Sequence, residues 1–356
     1  MGALAIQIER KLARLRKMWA DVRGSSGQVY VHDRVAQYRD LWQAVAESIG
    51  ARFTPLADKV WEIELNGARA RVLNDVLPLD DPVTLEIAGM KPLVYRMLAQ
   101  HDLPVPPHLV YKLTEWKQAC EFLKRYPKGV VIKPASGTSA GKGVTTHIMT
   151  KREVRKASVL ASLYSRELLV EPMIPGECYR LLVLDGQVIH AVCRRGPRLR
   201  GDGVTNIADL IEAENRRRVA AGEPRLDIDR DTRFTLDYQL LSLDSIPARD
   251  QVFLVKSVND PVRKQVEVRT VYNETVTDAV SDSMIKAAEK AAGIIGSRFV
   301  GVDFIVTDGS VSLEESGGII NELNTTPGLH HHYNPEREKF SGPALKALQA
   351  LLKLSD

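Results

Sequence analysis

The sequence predicts a mixed protein built of α/β and α+β units, and three observations carry that prediction. From about residue 90 onward, short apolar runs of strand length alternate with amphipathic stretches of helical length. Asn66-Gly67 joins two alternating segments, KVWEIEL and ARARVLN, and is the strongest short hairpin signal, because both turn positions need positive φ. The chain has 356 residues, 44% of them hydrophobic, which is enough for two or three units that each bury a core.

In chain order, residues 9–19 (ERKLARLRKMW) form a basic amphipathic stretch that reads as a solvated first helix, and a Gly24-Ser25-Ser26-Gly27 break follows. Residues 33–49 show helical spacing through Val35, Leu41, Trp42, Val45 and Ile49 and stop at Gly50. With the hairpin, these make a compact N-terminal α/β unit that is expected to end near residue 88. KPLVYRMLAQHDLPVPPH is a helix terminated by Pro104, Pro106 and Pro107. Next come a helix at 114–125, the strands GVVIKP, LLVEP, RLLVLDG and QVIHAV, and a helix at 206–216. Residues 217–280 are polar and weakly patterned, as expected of a lid or linker with little regular structure. The last third reads as a helix at 281–296, strands FVGVDFIV and GIINELN, and a helix at 343–353.

Composition narrows the function. Lys+Arg at 49 against Asp+Glu at 45 gives a net charge of +4 with no basic block interleaved with aromatics, so no nucleic-acid partner is expected. The longest apolar runs are strand-sized, which argues against a membrane span. Ile6 stands where a myristoylation signal wants Ser or Thr. Three cysteines without CxxC spacing point to a reducing, cytoplasmic setting.

Three constellations carry chemistry. In VVIKPASGTSAGKGV (130–144), a strand delivers Lys133 to a loop containing Gly137, Gly141 and Gly143, where backbone N–H groups can approach an anion closely. The loop is not a Walker A motif, because Gly143 follows Lys142. In GVDFIV and INELNTTPG, Asp303 lies in one apolar strand, while Glu322 and Asn324 share a face of the next. Two acids and an amide oxygen suit a hard cation such as magnesium. His330, His331 and His332 follow and read as substrate or phosphate contacts rather than a zinc site. In residues 168–203, Glu171 and Glu177 flank a connector, and Arg180, Arg194 and Arg195 lie on the strands beyond it. Arginines suit carboxylate and phosphoryl oxygens through bidentate geometry.

Together these segments resemble the ATP-grasp superfamily, in particular the ATP-grasp region of cyanophycin synthetases and related peptide ligases, and more distantly the D-alanine–D-alanine ligases. The resemblance runs from about Ile87 to about Ala350. Its most specific blocks are EPMIPGECYRLLV through GDG, and ESGG through NTTPG. It implies an ATP-grasp fold: an N-terminal substrate domain (1–88), a first α+β subdomain (89–175), and a second (176–356) with a lid insert at about 195–280.

The resemblance also implies roles. Lys91 and Lys133 would be paired nucleotide-gripping lysines, and Ser136, Gly137, Gly141 and Gly143 part of a loop over the phosphates. Glu171 and Met173 would read adenine at the hinge, with Glu177 on the ribose. Asp303, Glu322 and Asn324 would hold Mg²⁺, or Mn²⁺ in its place. Arg180 and Arg194, with Lys133, would stabilise the transferred phosphoryl group. The implied reaction joins a small-molecule carboxylate to an amine at the expense of ATP, through an acyl-phosphate. The alternatives are an ATP-grasp kinase or another acyl-phosphate-forming enzyme such as an acyl-CoA ligase, and after these a non-enzymatic nucleotide sensor. A homo-oligomer is compatible with the resemblance.

Two departures stand out. Where many relatives have a second lysine about a turn after the first, this chain reads Val94-Tyr95-Arg96, so either Arg96 substitutes or the contact is missing. After Asn259 the sequence is Asp260-Pro261-Val262-Arg263-Lys264 rather than the Ser-Thr-Gly-Gly of cyanophycin synthetases. The segments that carry the resemblance include no muramyl-ligase-like domain, so two-step cyanophycin assembly is not expected.

Overall fold

The computed structural model describes residues 3–23, 26–137, 141–221, 225–256, 273–333 and 338–353. The N-terminal part holds helices α1 (Ala3–Arg23) and α2 (Ser26–Ser48) and an antiparallel meander of β1 (Arg52–Ala57), β2 (Val60–Leu65) and β3 (Ala68–Leu73). The turn between β2 and β3 has the positive φ that Asn66-Gly67 predicts, 49° and 83°. Helix α2 resumes at Ser26, so the expected break is shorter than its four residues.

Two features of this part differ from the sequence reading. First, α1 is not a solvated helix. Ile6 is buried among residues of a later sheet, the Arg10 guanidinium donates to the Ser162 carbonyl oxygen at 3.0 Å, and Glu9 pairs with Arg155 at 2.6 Å. Its other face keeps Ile8, Leu12 and Leu15 about half exposed. Second, the meander has no core to itself. Tyr38, Trp42 and Val45 of α2 pack with Trp61, Ile63 and Val72, and with Leu182, Leu184, Phe299 and Leu348 from far along the chain. A three-stranded sheet of this size buries too little apolar surface to stand alone.

Two short helices connect onward. Asp81 caps α3 (Pro82–Gly89), accepting from the Val83 and Thr84 N–H groups, and the sequence reading had not resolved this helix. Helix α4 (Lys91–Ala99) follows directly. The first large sheet has strand order β4 (Leu109–Lys112), β7 (Glu167–Pro172), β5 (Val130–Pro134) and β6 (Thr145–Ile148), all antiparallel. Helices α5 (Trp116–Arg125) and α6 (Lys151–Ala161) pack on one face of it with Val130, Ile132, Leu168 and Val170.

The second large sheet has the order β12 (Asn273–Thr275), β9 (Gln187–Arg194), β8 (Glu177–Leu184), β13 (Phe299–Val306) and β14 (Ile319–Asn324). Leu181, Val183, Val300, Val302 and Phe304 face α9 (Asp282–Ile295) and α4 in the largest core of the molecule. Strand alternation then turns Arg180, Gly301 and Asp303 to the opposite face. The N-terminal part covers one end of that face through Leu182, Leu184 and Phe299, and α10 (Gly342–Leu352) seals the same core.

Between β9 and β12 the chain forms a small folded unit, which corrects the expectation of an unstructured stretch from 217. Helices α7 (Ile207–Ala220) and α8 (Arg230–Tyr238) pack with the ribbon of β10 (Arg198–Arg200) and β11 (Val252–Leu254). Ile207, Ile211, Leu226, Leu236, Phe253 and Val255 make its core. These apolar residues are spread thinly among charges, so the periodicity is weak in sequence although the burial is real. The Asn259–Lys264 segment lies outside the described residues.

Candidate active site

The site is a cleft between the open faces of the two large sheets. On the second sheet, Asp303 lies opposite Arg180 on β8 and opposite Glu322 on β14, which sets three charged side chains in one cross-strand row. Burying a carboxylate in an apolar strand costs several kcal/mol unless it is paired. Arg180 supplies the pairing in bidentate form, with Nε to Oδ1 and Nη2 to Oδ2 both at 2.6 Å. The Asn324 amide donates to Asp303 Oδ2 at 3.2 Å. Gly301 makes room for this arrangement, since a Cβ there would sit 3.2 Å from both Arg180 Cδ and Pro327 Cβ.

Helix α4 brings two side chains to the cleft from one face, four residues apart. Lys91 Nζ lies 3.0 Å from Glu322 Oε1. Burial opposes ionisation of Glu322, but the charges of Lys91 and Lys133 outweigh it and hold the carboxyl below the usual carboxylate range. Tyr95 reaches Lys133 on the first sheet, where Lys133 Nζ donates to its hydroxyl at 3.1 Å and to Glu171 Oε2 at 2.8 Å. Arg96 is exposed, so it does not take the place of a second lysine in the cleft.

Ser136 and Gly137 follow β5 just beyond Ala135, whose carbonyl oxygen accepts from the Lys91 N–H at 3.2 Å. Gly137, Gly141 and Gly143 all have left-handed backbone, with φ of 71°, 67° and 78°. A side chain at Gly143 would also collide with Tyr164 and Pro134. Residues 138–140 lie outside the described residues. At the hinge, Glu171 is buried and its Oε1 has no hydrogen-bond partner. The Met173 sulfur accepts from the His147 N–H at 3.5 Å. A Cβ at Gly176 would run into the Val306 backbone, so only glycine lets the hinge cross β13. Glu177 pairs with Arg198 and, at 3.6 Å, with Arg195, while its Oε1 is buried without a hydrogen bond.

Arg194 lies opposite Cys178 and Asn273; among the described residues it forms no ion pair, and its buried Nε makes no hydrogen bond. Burial, with the Asp303 charge, pushes the Cys178 thiol up to about 11, so it is no nucleophile at neutral pH. The histidine row lies at the end of the cleft that the N-terminal part covers. Tyr38 and His330 Nδ1 are 2.8 Å apart, His190 and His332 share a proton between Nδ1 atoms at 3.0 Å, and Asn273 lies 3.4 Å from His331 Nδ1. Burial, followed by the charges of His330, Arg180 and Arg194, holds His331 well below the ordinary imidazole range.

Among the described residues, no three His, Cys, Asp or Glu side chains converge as a metal site. The candidate set here is two acids and an amide, a donor chemistry that fits magnesium sharing its shell with phosphates. The insert docks on the layer of the first large sheet through Arg230–Glu153 at 2.6 Å, Lys128–Asp237 at 2.7 Å, and Phe234 set edge-on to His147. Sequence reasoning missed Tyr95, Tyr38 and Asn273. Only the first had a signal, its four-residue spacing from Lys91.

Searching protein-family models gives no match to the chain. A cyanophycin synthetase of Trichormus variabilis is 32% identical over 266 residues, covering 71% of this chain. A glutathione biosynthesis bifunctional protein of Listeria monocytogenes is 26% identical over 282 residues, covering 76%. The chain spans only 28% and 35% of the length of these two relatives. Among solved structures, the bifunctional glutathione synthetase from Pasteurella multocida aligns with a TM-score of 0.51 at 21% identity, over 87% of this chain and 43% of that one. The last likeness concerns the fold alone. Two antiparallel sheets facing across a lysine- and carboxylate-lined cleft, with these sequence likenesses, identify the chain as a member of the ATP-grasp superfamily.

Proposed function

We propose that this chain is an ATP-dependent carboxylate–amine ligase that forms an amide bond through an acyl-phosphate, on an amino acid or short peptide. The observation that carries the reading is the Arg180–Asp303–Glu322 row facing Lys91 and Lys133 across one cleft. Relatives named for making cyanophycin and glutathione support the same class. Residues 1–88, 89–175 and 176–356 would form the substrate domain and the two subdomains that enclose ATP.

In the first step, a carboxylate oxygen of the substrate bonds to the γ-phosphorus of ATP, the bond to the β,γ-bridging oxygen breaks, and ADP leaves. In the second, an amine nitrogen bonds to the acyl carbon, phosphate leaves, and the amine gives up a proton. Such transfers need positioning and charge neutralisation more than a protein nucleophile. Lys91 and Lys133 would neutralise phosphate oxygens, and Ser136, Gly137, Gly141 and Gly143 would cover them. Glu171, Met173 and Glu177 would hold the nucleoside, the carboxylates having buried acceptor atoms for its donors. Arg194, whose buried Nε makes no hydrogen bond among the described residues, would bind the transferred phosphoryl group, and Arg180 would act through Asp303. Asp303, Glu322 and Asn324 would hold magnesium, or manganese, which shields phosphate charge when bound. The insert would exclude water from the acyl-phosphate.

Phosphate release from MgATP by the purified protein tests the reading, with pools of amino acids and short peptides offered singly and in pairs. Release that requires both a carboxylate and an amine is expected. ADP formed with a single partner, alongside a stable phosphorylated product and no free phosphate, would make the protein a kinase instead.

A further inference from the structure

Tyr95 occupies the place on α4 where the sequence offers no second lysine, one turn beyond Lys91. Its side chain is 1% exposed. Among the described residues the hydroxyl donates to the Asn321 carbonyl oxygen at 2.7 Å and accepts from Lys133 Nζ at 3.1 Å, with the Glu171 carboxylate close beside it. A phenol has one proton to give, and a carbonyl can only accept. The proton therefore goes to Asn321, and the phenolic oxygen accepts from Lys133. Burial, with the Glu171 charge, pushes the phenol well above its ordinary value, so the hydroxyl stays intact across the physiological range.

The carbonyl partner is available because of a bulge. Asp303 pairs with Glu322 and Phe304 with Ile320, which leaves Asn321 as the extra residue of β14, outside the regular ladder. Tyr95 thus joins the strand that carries Glu322 to the strand that carries Lys133. An ammonium has three N–H bonds. One goes to Tyr95 and a second to Glu171 Oε2 at 2.8 Å, so the direction of the third is fixed.

We propose that Tyr95 is a positioning residue, whose hydroxyl aims the remaining N–H of Lys133 at a nucleotide phosphate and couples that aim to the Glu322 strand. The inference rests on the ATP reading above. Tyr95→Phe keeps the ring and removes only the hydroxyl, so the packing of α4 is retained.

Calorimetric titration with magnesium-ADP, and separately with adenosine, tests it on the unaltered protein, Tyr95→Phe, Lys133→Met and the double variant. ADP should bind Tyr95→Phe about tenfold more weakly, the size of one lost hydrogen bond to a charged group. Adenosine, having no phosphate, should bind the unaltered and Tyr95→Phe proteins equally. The double variant should bind ADP no more weakly than Lys133→Met alone, because the hydroxyl acts only through Lys133. Unchanged ADP affinity in Tyr95→Phe, an equal loss for adenosine, or multiplied losses in the double variant would each overturn the proposal. If the unaltered protein binds neither ligand, the ATP reading itself falls and takes this one with it.

Discussion

The Lys133–Glu171 pair on the first sheet and the Lys91–Glu322 pair at the second are nearly equal in length, 2.8 and 3.0 Å, yet they sit in different surroundings. Both side chains of the first pair are enclosed, at 7% and 5% exposure, whereas Glu322 keeps 31%. An enclosed pair is locked, since separating it strands a charge where water cannot reach. A carboxylate that still sees the cleft can trade its lysine for another cation at little cost. The Arg180–Asp303 pair belongs with the enclosed kind, at 10% and 6%. Within one row of the second sheet, then, Asp303 is enclosed with its arginine, while Glu322 keeps a solvent-facing side, the difference that the proposed ligand role of Glu322 would use.

The largest expected effect separates these two carboxylates. Asp303→Asn leaves the buried Arg180 guanidinium without a counter-charge and should cost about 3–5 kcal/mol of stability in urea unfolding. Glu322→Gln should cost much less stability, while turnover in the phosphate-release assay falls roughly 10²-fold or more, the order seen when a single charge-stabilising group is lost. Equal stability losses in the two variants would erase the distinction, and near-normal turnover in Glu322→Gln would remove it from the ligand set.

A smaller effect concerns the histidine end of the cleft. His331 is held neutral by burial and by the positive surroundings of Arg180, Arg194, His330 and His332. Its folded-state pKa is depressed, so the unfolded chain binds the proton more readily. The stability it contributes is complete above the ordinary histidine pKa of about 6.5 and is lost as pH falls below that value. Unfolding followed from pH 8 to pH 5 should show the unaltered protein losing stability faster than His331→Asn. Parallel curves would show that His331 titrates normally.

The smallest effect is expected at the insert. Arg230 and Glu153 are each more than a third exposed, so Arg230→Ala should change stability by less than about 1 kcal/mol although the contact is 2.6 Å. A larger loss would mean that the insert and the first subdomain unfold as one unit.

The legibility of the sequence followed the density of apolar pattern. Strands β5, β8 and β13 are largely apolar runs and β14 opens with one, so their positions were plain, and Lys133, Asp303 and Glu322 stood out against them. Helix α8 was not legible, because only Leu236 of its nine residues joins the insert core, while Phe234 packs against His147 instead. Helix α1 was misjudged for a related reason. Its packing on the first large sheet's helices uses Ile6, one ion pair from Glu9 and one hydrogen bond from Arg10 to a backbone carbonyl, and partners more than a hundred residues away leave no local trace.

By itself, the sequence determined the hairpin at Asn66-Gly67, the chain positions of β5, β7, β8, β9, β13 and β14, and the residue types of the cleft. Those are local matters: alternation fixes which face a strand side chain takes, and only glycine or asparagine readily adopts the left-handed turn. Tertiary structure alone decided who pairs with whom. The register of β8 against β13 set Arg180 on Asp303, and the bulge at Asn321 freed a carbonyl for Tyr95. The return of α10 to the N-terminal meander closed a core that neither segment could bury alone. Register, bulges and shared cores depend on contacts between distant parts of the chain, whose energies come from burial and charge pairing in the assembled molecule.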